Sequence, residues 1–128
     1  MTKAKIVIVE SESIIAMDIQ TRLKKAGYIS TIAYSGEEAI NKVAEILPDL
    51  VLIATPLKGS MDGAEAAKQI FTRFNISVIY LITCKIDNSL EQFRYISKPF
   101  QEEELYNAIE ITLLKKNCLM KKTASFKN

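Results

Sequence analysis

The chain of 128 residues contains no histidine, only two cysteines and no long apolar run. The absence of histidine excludes Cys/His nucleophile pairs and acid–base catalysis by histidine. Cys84 and Cys118 lie far apart in the sequence, so we expect free thiols rather than a disulfide. No apolar run approaches the roughly 18 residues of a membrane span, and residues 1–5 do not resemble a signal peptide. These absences predict a cytoplasmic protein without a membrane segment.

Glycine is also scarce. The four glycines, at positions 27, 36, 59 and 63, form no GxGxxG pattern, the loop that holds phosphates in many nucleotide-binding proteins. Binding of a flavin or a nucleotide is therefore only a minor alternative for this chain.

Charge is distributed unevenly along the sequence. The net charge is +2, but residues 115–128 hold five lysines and no acid, so residues 1–114 carry −3. This pattern predicts one folded domain over residues 1–114, followed by a basic tail or linker over residues 115–128. Five lysines without an arginine are a weak signal for nucleic-acid binding, and we expect neither a nucleic acid nor a membrane as partner.

Apolar periodicity predicts strands that alternate with helices. Strands are predicted at residues 6–9, 28–33, 50–53, 77–82 and 95–97, and helices between Ser13 and Gly27, Ser35 and Pro48, Asp62 and Phe74, and Gln101 and Leu114. Such alternation is typical of a doubly wound α/β fold with a parallel sheet. Only about a dozen residues, 83–94, separate the last two strands, which predicts a shortened or missing fourth helix.

Local signals define the ends and the buried faces of these helices. We expect Ser35 and Asp62 to be N-caps and Gly27 to be a left-handed C-cap, with the first helix capped within residues 11–13. The predicted buried stripes contain Ile15, Ile19, Leu23 and Ala26 in the first helix, Ile40, Val43 and Leu47 in the second, Ala64, Ala67, Ile70, Phe71 and Phe74 in the third, and Leu105, Ala108, Ile109 and Leu113 in the last.

The predicted third strand is followed by an alanine, whereas the first and last strands are followed by charged residues. Residues 50–53 form a wholly apolar run typical of a buried parallel strand, and Ala54 follows it. The carboxyl ends of parallel strands are where ligands bind in open α/β sheets. Glu10 follows the first strand, and Lys98 follows the last. We therefore predict that Glu10 and Lys98 flank a gap at Ala54.

Four segments in this order resemble the receiver domains of two-component response regulators. They are residues 6–12 (IVIVESE), 48–53 (PDLVLI), 61–63 (MDG) and 98–100 (KPF), and the resemblance covers about residues 4–114. It implies a flavodoxin-like five-stranded parallel sheet with strand order 2-1-3-4-5. Receivers of this family transfer a phosphoryl group to an aspartate, beside acids that hold Mg²⁺, a hydroxyl and a lysine.

The resemblance also implies that this site is degenerate. Its positions correspond to Glu10 and Ser11 for the acid pair, Ala54 for the phosphoacceptor, Ile82 for the hydroxyl, with Thr83 one residue beyond, and Lys98 for the lysine. With one acid and one lysine the pocket is neutral, so Mg²⁺ binding should be weak or absent and no other cofactor is expected. The simplest interpretation of Glu10 is a solvated carboxylate, and a residual metal ligand is the alternative. Lys98 is expected to pair with Glu10.

These residues predict an atypical receiver in phosphorelay signalling that binds proteins without being phosphorylated on aspartate and is not an enzyme. The alternative is a phosphoaccepting receiver with a displaced acceptor at Ser11, Thr55 or Thr83, although an unactivated hydroxyl is a poor nucleophile.

Partners are expected on one side of the predicted domain. A histidine kinase or an output domain is the expected partner class, together with a homodimer through the fifth strand and the last helix. Phe93, Tyr95, which matches the family's switch aromatic, and Ile109 are the predicted interaction residues.

Overall fold

The computed structural model describes residues 4–55, 61–82, 94–97 and 102–127, with side chains described for residues 4–54, 61–81 and 102–114. The strands in this part are β1 (Lys5–Val9), β2 (Ile29–Ala33), β3 (Leu50–Thr55), β4 (Ser77–Ile82) and β5 (Arg94–Ser97). The helices are α1 (Ser13–Lys25), α2 (Gly36–Ile46), α3 (Gly63–Phe74) and α4 (Glu102–Lys127). Residues 83–93, where we predicted a shortened or missing helix, lie outside the described residues.

All five strands are parallel, in the order β2-β1-β3-β4-β5. The predicted flavodoxin-like α/β fold with a parallel sheet is confirmed. Side chains alternate across each strand, so the two faces of the sheet carry separate apolar cores. Val7, Val9 and Val51 pack beneath α2 and α3, whereas Ile6, Ile8 and Leu52 pack beneath α1 and α4. In a parallel sheet of this kind every helix begins at the carboxyl edge of the strands.

Helix α1 ends as the sequence predicts. Gly27 has a φ of 93°, its N–H donates to the Lys24 carbonyl, and the Tyr28 N–H donates to the Leu23 carbonyl. This pair of hydrogen bonds is a Schellman motif, which needs a residue that tolerates positive φ. The N-cap is Glu12, within the predicted segment, but its side chain accepts no capping hydrogen bond. The predicted burial of Ile15 and Ala26 is wrong, since both are exposed, and Ala16 takes an inward position instead.

Helices α2 and α3 are capped in the same way at both ends. The Ser35 hydroxyl accepts a hydrogen bond from the Glu38 N–H at 3.1 Å, and the Asp62 carboxylate accepts one from the Glu65 N–H at 2.8 Å, so both predicted N-caps are confirmed. Both helices end in the left-handed conformation, at Leu47 and Asn75.

Two residues predicted to be buried on these helices are largely exposed. Leu47 is 63% exposed because its left-handed backbone turns the chain away from the core, and Phe71 is 47% exposed while Ala66 and Ala67 fill the inward face of α3. The predicted burial of Leu47 and Phe71 is therefore wrong.

Replacing Leu47 by glycine is expected to raise the free energy of unfolding by about 0.5–1 kcal/mol, because the left-handed conformation costs a residue with a Cβ about 1 kcal/mol. The exposed leucine side chain loses little packing in return. Asn75→Gly is the matched control and should have a smaller effect, since asparagine tolerates this conformation. Urea denaturation of both variants measures the difference. Equal stability of Leu47→Gly and the native chain would contradict the argument.

Helix α4 is tied to α1 by a tyrosine. The Tyr106 hydroxyl donates a hydrogen bond to the Arg22 carbonyl at 2.7 Å. Among residues 102–114, the part of α4 whose side chains are described, Leu105, Ala108 and Ile109 are buried. The helical backbone then continues through residue 114 to Lys127, so no helix end marks the predicted boundary between domain and tail. In the described part of the chain, no helix is both long and apolar enough to cross a membrane.

We expect Tyr106→Phe to lose about 1 kcal/mol of stability at pH 7, the usual contribution of one such hydrogen bond. Burial and the negative charge of the Glu102 carboxylate raise the pKa of Tyr106 above its ordinary 10.0. The native state therefore holds this proton more tightly than the unfolded chain, and its stabilisation is lost as the pH rises above 10. Between pH 9 and 11 the native chain should lose more stability than Tyr106→Phe. Denaturation at both pH values, with exposed Tyr34→Phe as control, tests this.

Candidate functional site

Glu10 follows β1 and is buried, with 4% of its surface exposed. Its N–H donates to the Ala33 carbonyl at 3.0 Å, which extends the β1–β2 pairing by one residue. Its carboxylate accepts a hydrogen bond from the Glu12 N–H at 2.9 Å, just before α1 begins. The interpretation of Glu10 as a solvated carboxylate is therefore wrong. A buried carboxylate needs such donors to offset the loss of water.

Ala54 lies beside this carboxylate at the carboxyl edge of the sheet. Val9 pairs with Ile53 in the β1–β3 register, so Glu10 and Ala54 are the next residues on neighbouring strands. Ala54 is 2% exposed and belongs to the apolar core that includes Leu52, Leu81 and Leu105. The site predicted for an acid is thus filled by a methyl group that is part of the core.

The residues described here do not fit the Mg²⁺ that a phosphoaccepting site requires. Mg²⁺ binds octahedrally to oxygen ligands, usually through one or two carboxylates. Glu10 contributes one carboxylate, which already accepts the Glu12 N–H, Ser11 contributes a partly exposed hydroxyl, and Ala54 contributes no oxygen. Over residues 4–54, 61–81 and 102–114, no three acidic or cysteine side chains converge as metal ligands.

The other predicted site residues are placed in part. Ile82 is the last residue of β4 and pairs with Thr55 of β3 and Ser97 of β5, so the backbone brings the predicted hydroxyl position to the same edge as Ala54. Tyr95, in β5, pairs with Tyr80 of β4. Thr83, Phe93 and Lys98 lie outside the described residues, so the predicted Glu10–Lys98 pair stays a prediction.

Ile109 does not fit the interaction role predicted for it. It is fully buried in the core formed with Leu105, Ala108 and the strands. A side chain in this position packs against the sheet and does not contact a partner. Within residues 102–114, the large apolar side chains that are exposed are those of Ile111 and Leu114, on the outer side of the helix.

One feature of this edge was not predicted. An open cavity of about 380 Å³ lies between the beginnings of α2 and α3, lined by Glu37, Met61, Asp62 and Glu65. Met61 lies directly over Gly36, where an added Cβ would be 3.0 Å from the Met61 Sδ. Acids in the first turns of both helices were visible in the sequence, but their convergence depends on how the two helices pack.

The sequence profile of the response regulator receiver domain matches residues 6–110. The chain therefore belongs to the receiver domain family of two-component signalling. The matched region contains Glu10, Ala54 and all five strands except Lys5, the first residue of β1.

Solved structures give the same assignment. The N-terminal domain of a response regulator/sensory box/GGDEF three-domain protein from Carboxydothermus hydrogenoformans is 29% identical, with a TM-score of 0.83, covering 91% of this chain and 98% of that one. The receiver domain of a modulated diguanylate cyclase from Desulfovibrio desulfuricans G20 is 25% identical, with a TM-score of 0.83 and coverage of 91% and 98%. NtrX from Brucella abortus is similar in fold, at 20% identity and a TM-score of 0.83, over 98% of this chain and 30% of that one.

Proposed function

We propose that this receiver domain acts in a phosphorelay as a protein-interaction module that is not phosphorylated on aspartate. The observation that carries the proposal is Ala54, buried at the carboxyl edge of β3 beside Glu10. Phosphoryl transfer to a receiver requires a carboxylate nucleophile at the strand end, and a methyl group has no lone pair to attack phosphorus. Glu10 is a poor substitute, because its carboxylate is held by the Glu12 N–H.

The same residues support a domain without Mg²⁺ and without enzymatic activity. Catalysis of phosphoryl transfer depends on metal and cationic groups that stabilise the charge of the transferred phosphoryl group. A single buried carboxylate next to an alanine does not supply the ligands for that metal. We therefore propose that this domain signals through the surface it presents rather than through a phosphorylation cycle.

Receiver domains work with kinases and output domains. The Carboxydothermus relative carries its receiver at the N-terminus of a protein that also has a GGDEF domain. By this similarity, we propose a histidine kinase or an output domain as the partner class. A cytoplasmic location agrees with these partners.

Incubation with acetyl phosphate and Mg²⁺, followed by intact-mass spectrometry, tests the proposal. We expect no gain in mass, with an aspartate-containing receiver domain as the positive control under the same conditions. A stoichiometric gain of one phosphoryl group that hydroxylamine removes would mean that another carboxylate accepts it. A gain that resists hydroxylamine would point to a hydroxyl acceptor such as Ser11. Either gain would overturn the proposal.

A further inference from the structure

Met61 lies at the junction between the beginnings of α2 and α3. It directly precedes Asp62, the N-cap of α3, and an apolar residue in this position commonly packs against the fourth residue of the helix. That residue is Ala66, which is buried in the core against which Met61 packs. On its other side Met61 covers Gly36, the first residue of α2, where an added Cβ would lie 3.0 Å from both its Sδ and its Cγ. One apolar side chain thus holds both helix beginnings together.

The thioether of Met61 is also open to small molecules. Met61 is half-buried and lines the open cavity of about 380 Å³ between the two helix beginnings. A water molecule occupies about 30 Å³ in the liquid, so hydrogen peroxide, with one more oxygen atom, has room to reach the Sδ atom. Of the side chains that the structure describes, only those of Met17 and Met61 contain sulfur. Met61 is therefore the oxidisable group of this cavity.

The surroundings of Met61 suit a thioether but not its oxidised form. A sulfoxide is polar, and its oxygen needs hydrogen-bond donors. The other residues that line the cavity are Glu37, Asp62 and Glu65, whose carboxylates, when ionised, accept hydrogen bonds and donate none. The close contact with Gly36 leaves no room for another oxygen on that side. A sulfoxide at position 61 therefore has to leave the junction and turn to solvent.

We infer that Met61 is a reversible oxidation site for hydrogen peroxide and that its sulfoxide weakens the packing between the first turns of α2 and α3. The Sδ atom attacks one peroxide oxygen, the O–O bond breaks and an S–O bond forms. The sulfur loses two electrons, and the second peroxide oxygen leaves as water with both protons. A thiol-dependent sulfoxide reductase reverses the change, because two thiols become a disulfide and the oxygen leaves as water. This covalent input does not involve Ala54, so it is independent of the function proposed above.

Peroxide treatment of the full chain tests the site, with Met17, which is 59% exposed on α1, as the matched control. Met61→Leu and Met17→Leu are made in a parent chain with Cys84→Ser and Cys118→Ser, so that no thiol is oxidised. After oxidation, confirmed for each methionine by peptide mass, the ratio of folded to unfolded protein in urea should fall by roughly tenfold in the parent chain and in Met17→Leu. Met61→Leu keeps the apolar volume and should lose little. Equal losses in the two variants, or a Met61 that stays reduced while Met17 is oxidised, would overturn the inference.

A further variant tests the contact with Gly36, and enzymatic reduction tests reversibility. The Cβ of Gly36→Ala would lie 3.0 Å from the Met61 Sδ, so the thioether has to move into the cavity. Met61 should then be oxidised faster, relative to Met17, than in the parent chain. Sulfoxide reductases for both epimers, supplied with a thiol, should restore the original urea midpoint of the oxidised parent chain. An unchanged relative rate, or a midpoint that does not recover once the mass shows complete reduction, would contradict the inference. Phosphorylation is measured separately, so the two proposals fail independently.

Discussion

Replacing Ala54 by aspartate is expected to lower the free energy of unfolding by about 2–4 kcal/mol at pH 7, although it restores the residue type of an intact receiver. Ala54 is 2% exposed within an apolar core, so the new carboxylate loses its water. It also enters beside the buried Glu10, and two carboxylates about 4 Å apart repel by about 4 kcal/mol at an effective dielectric constant of 20. Urea denaturation measures the loss.

The pH dependence of the stability of Ala54→Asp distinguishes the cost of the new charge from the cost of the larger side chain. Burial and repulsion raise the pKa of the introduced carboxyl above its value in the unfolded chain, so the destabilisation should shrink as the pH falls through the folded-state pKa. Ala54→Asn has the same shape without the charge, and its cost should not change over the same pH range.

Adding Ser11→Asp to Ala54→Asp should allow Mg²⁺ to recover more stability than in the single variant. If Mg²⁺ restores the same stability in the single and the double variant, the second acid contributes little to Mg²⁺ binding.

Local signals in the sequence were sufficient where one residue determines one feature. Ser35 and Asp62 cap their helices as predicted because a short polar side chain before a helix needs only its own backbone geometry. Gly27 takes a positive φ for a similar reason. Strand β4 begins and ends at Ser77 and Ile82 as predicted, since its apolar run is flanked by polar residues.

Features that depend on packing between elements were not available from the sequence. Leu47 fits the apolar spacing of α2, but the helix ends one residue earlier and the left-handed turn exposes the side chain. Glu10 was expected in solvent because its strand ends there, yet the chain folds back so that the Glu12 N–H meets its carboxylate. The site at Ala54 was recognisable from the order of motifs, whereas its incorporation into the core required the structure.

Ile109 shows how two predictions from one sequence can conflict. Helical spacing placed it in the buried stripe of the last helix, and the proposed partner surface placed it outside. The structure supports the spacing, because Ile109 has no exposed surface and packs on the sheet with Leu105. Periodicity over a whole helix is a stronger signal than the assignment of a single residue to a surface.

The pair Ile109 and Ile111 therefore gives a sharp test of which side of α4 faces the core. Ile109→Lys is expected to cost more than about 4 kcal/mol and to leave the chain largely unfolded, since a lysine there is buried without a counter-charge. Ile111→Lys should keep the native circular dichroism spectrum and lose at most about 1 kcal/mol, because its site is 41% exposed. If Ile109→Lys cannot be purified, Ile109→Ala should still lose about 2–4 kcal/mol in urea denaturation. Native stability of Ile109→Lys would show that α4 is turned the other way on the sheet.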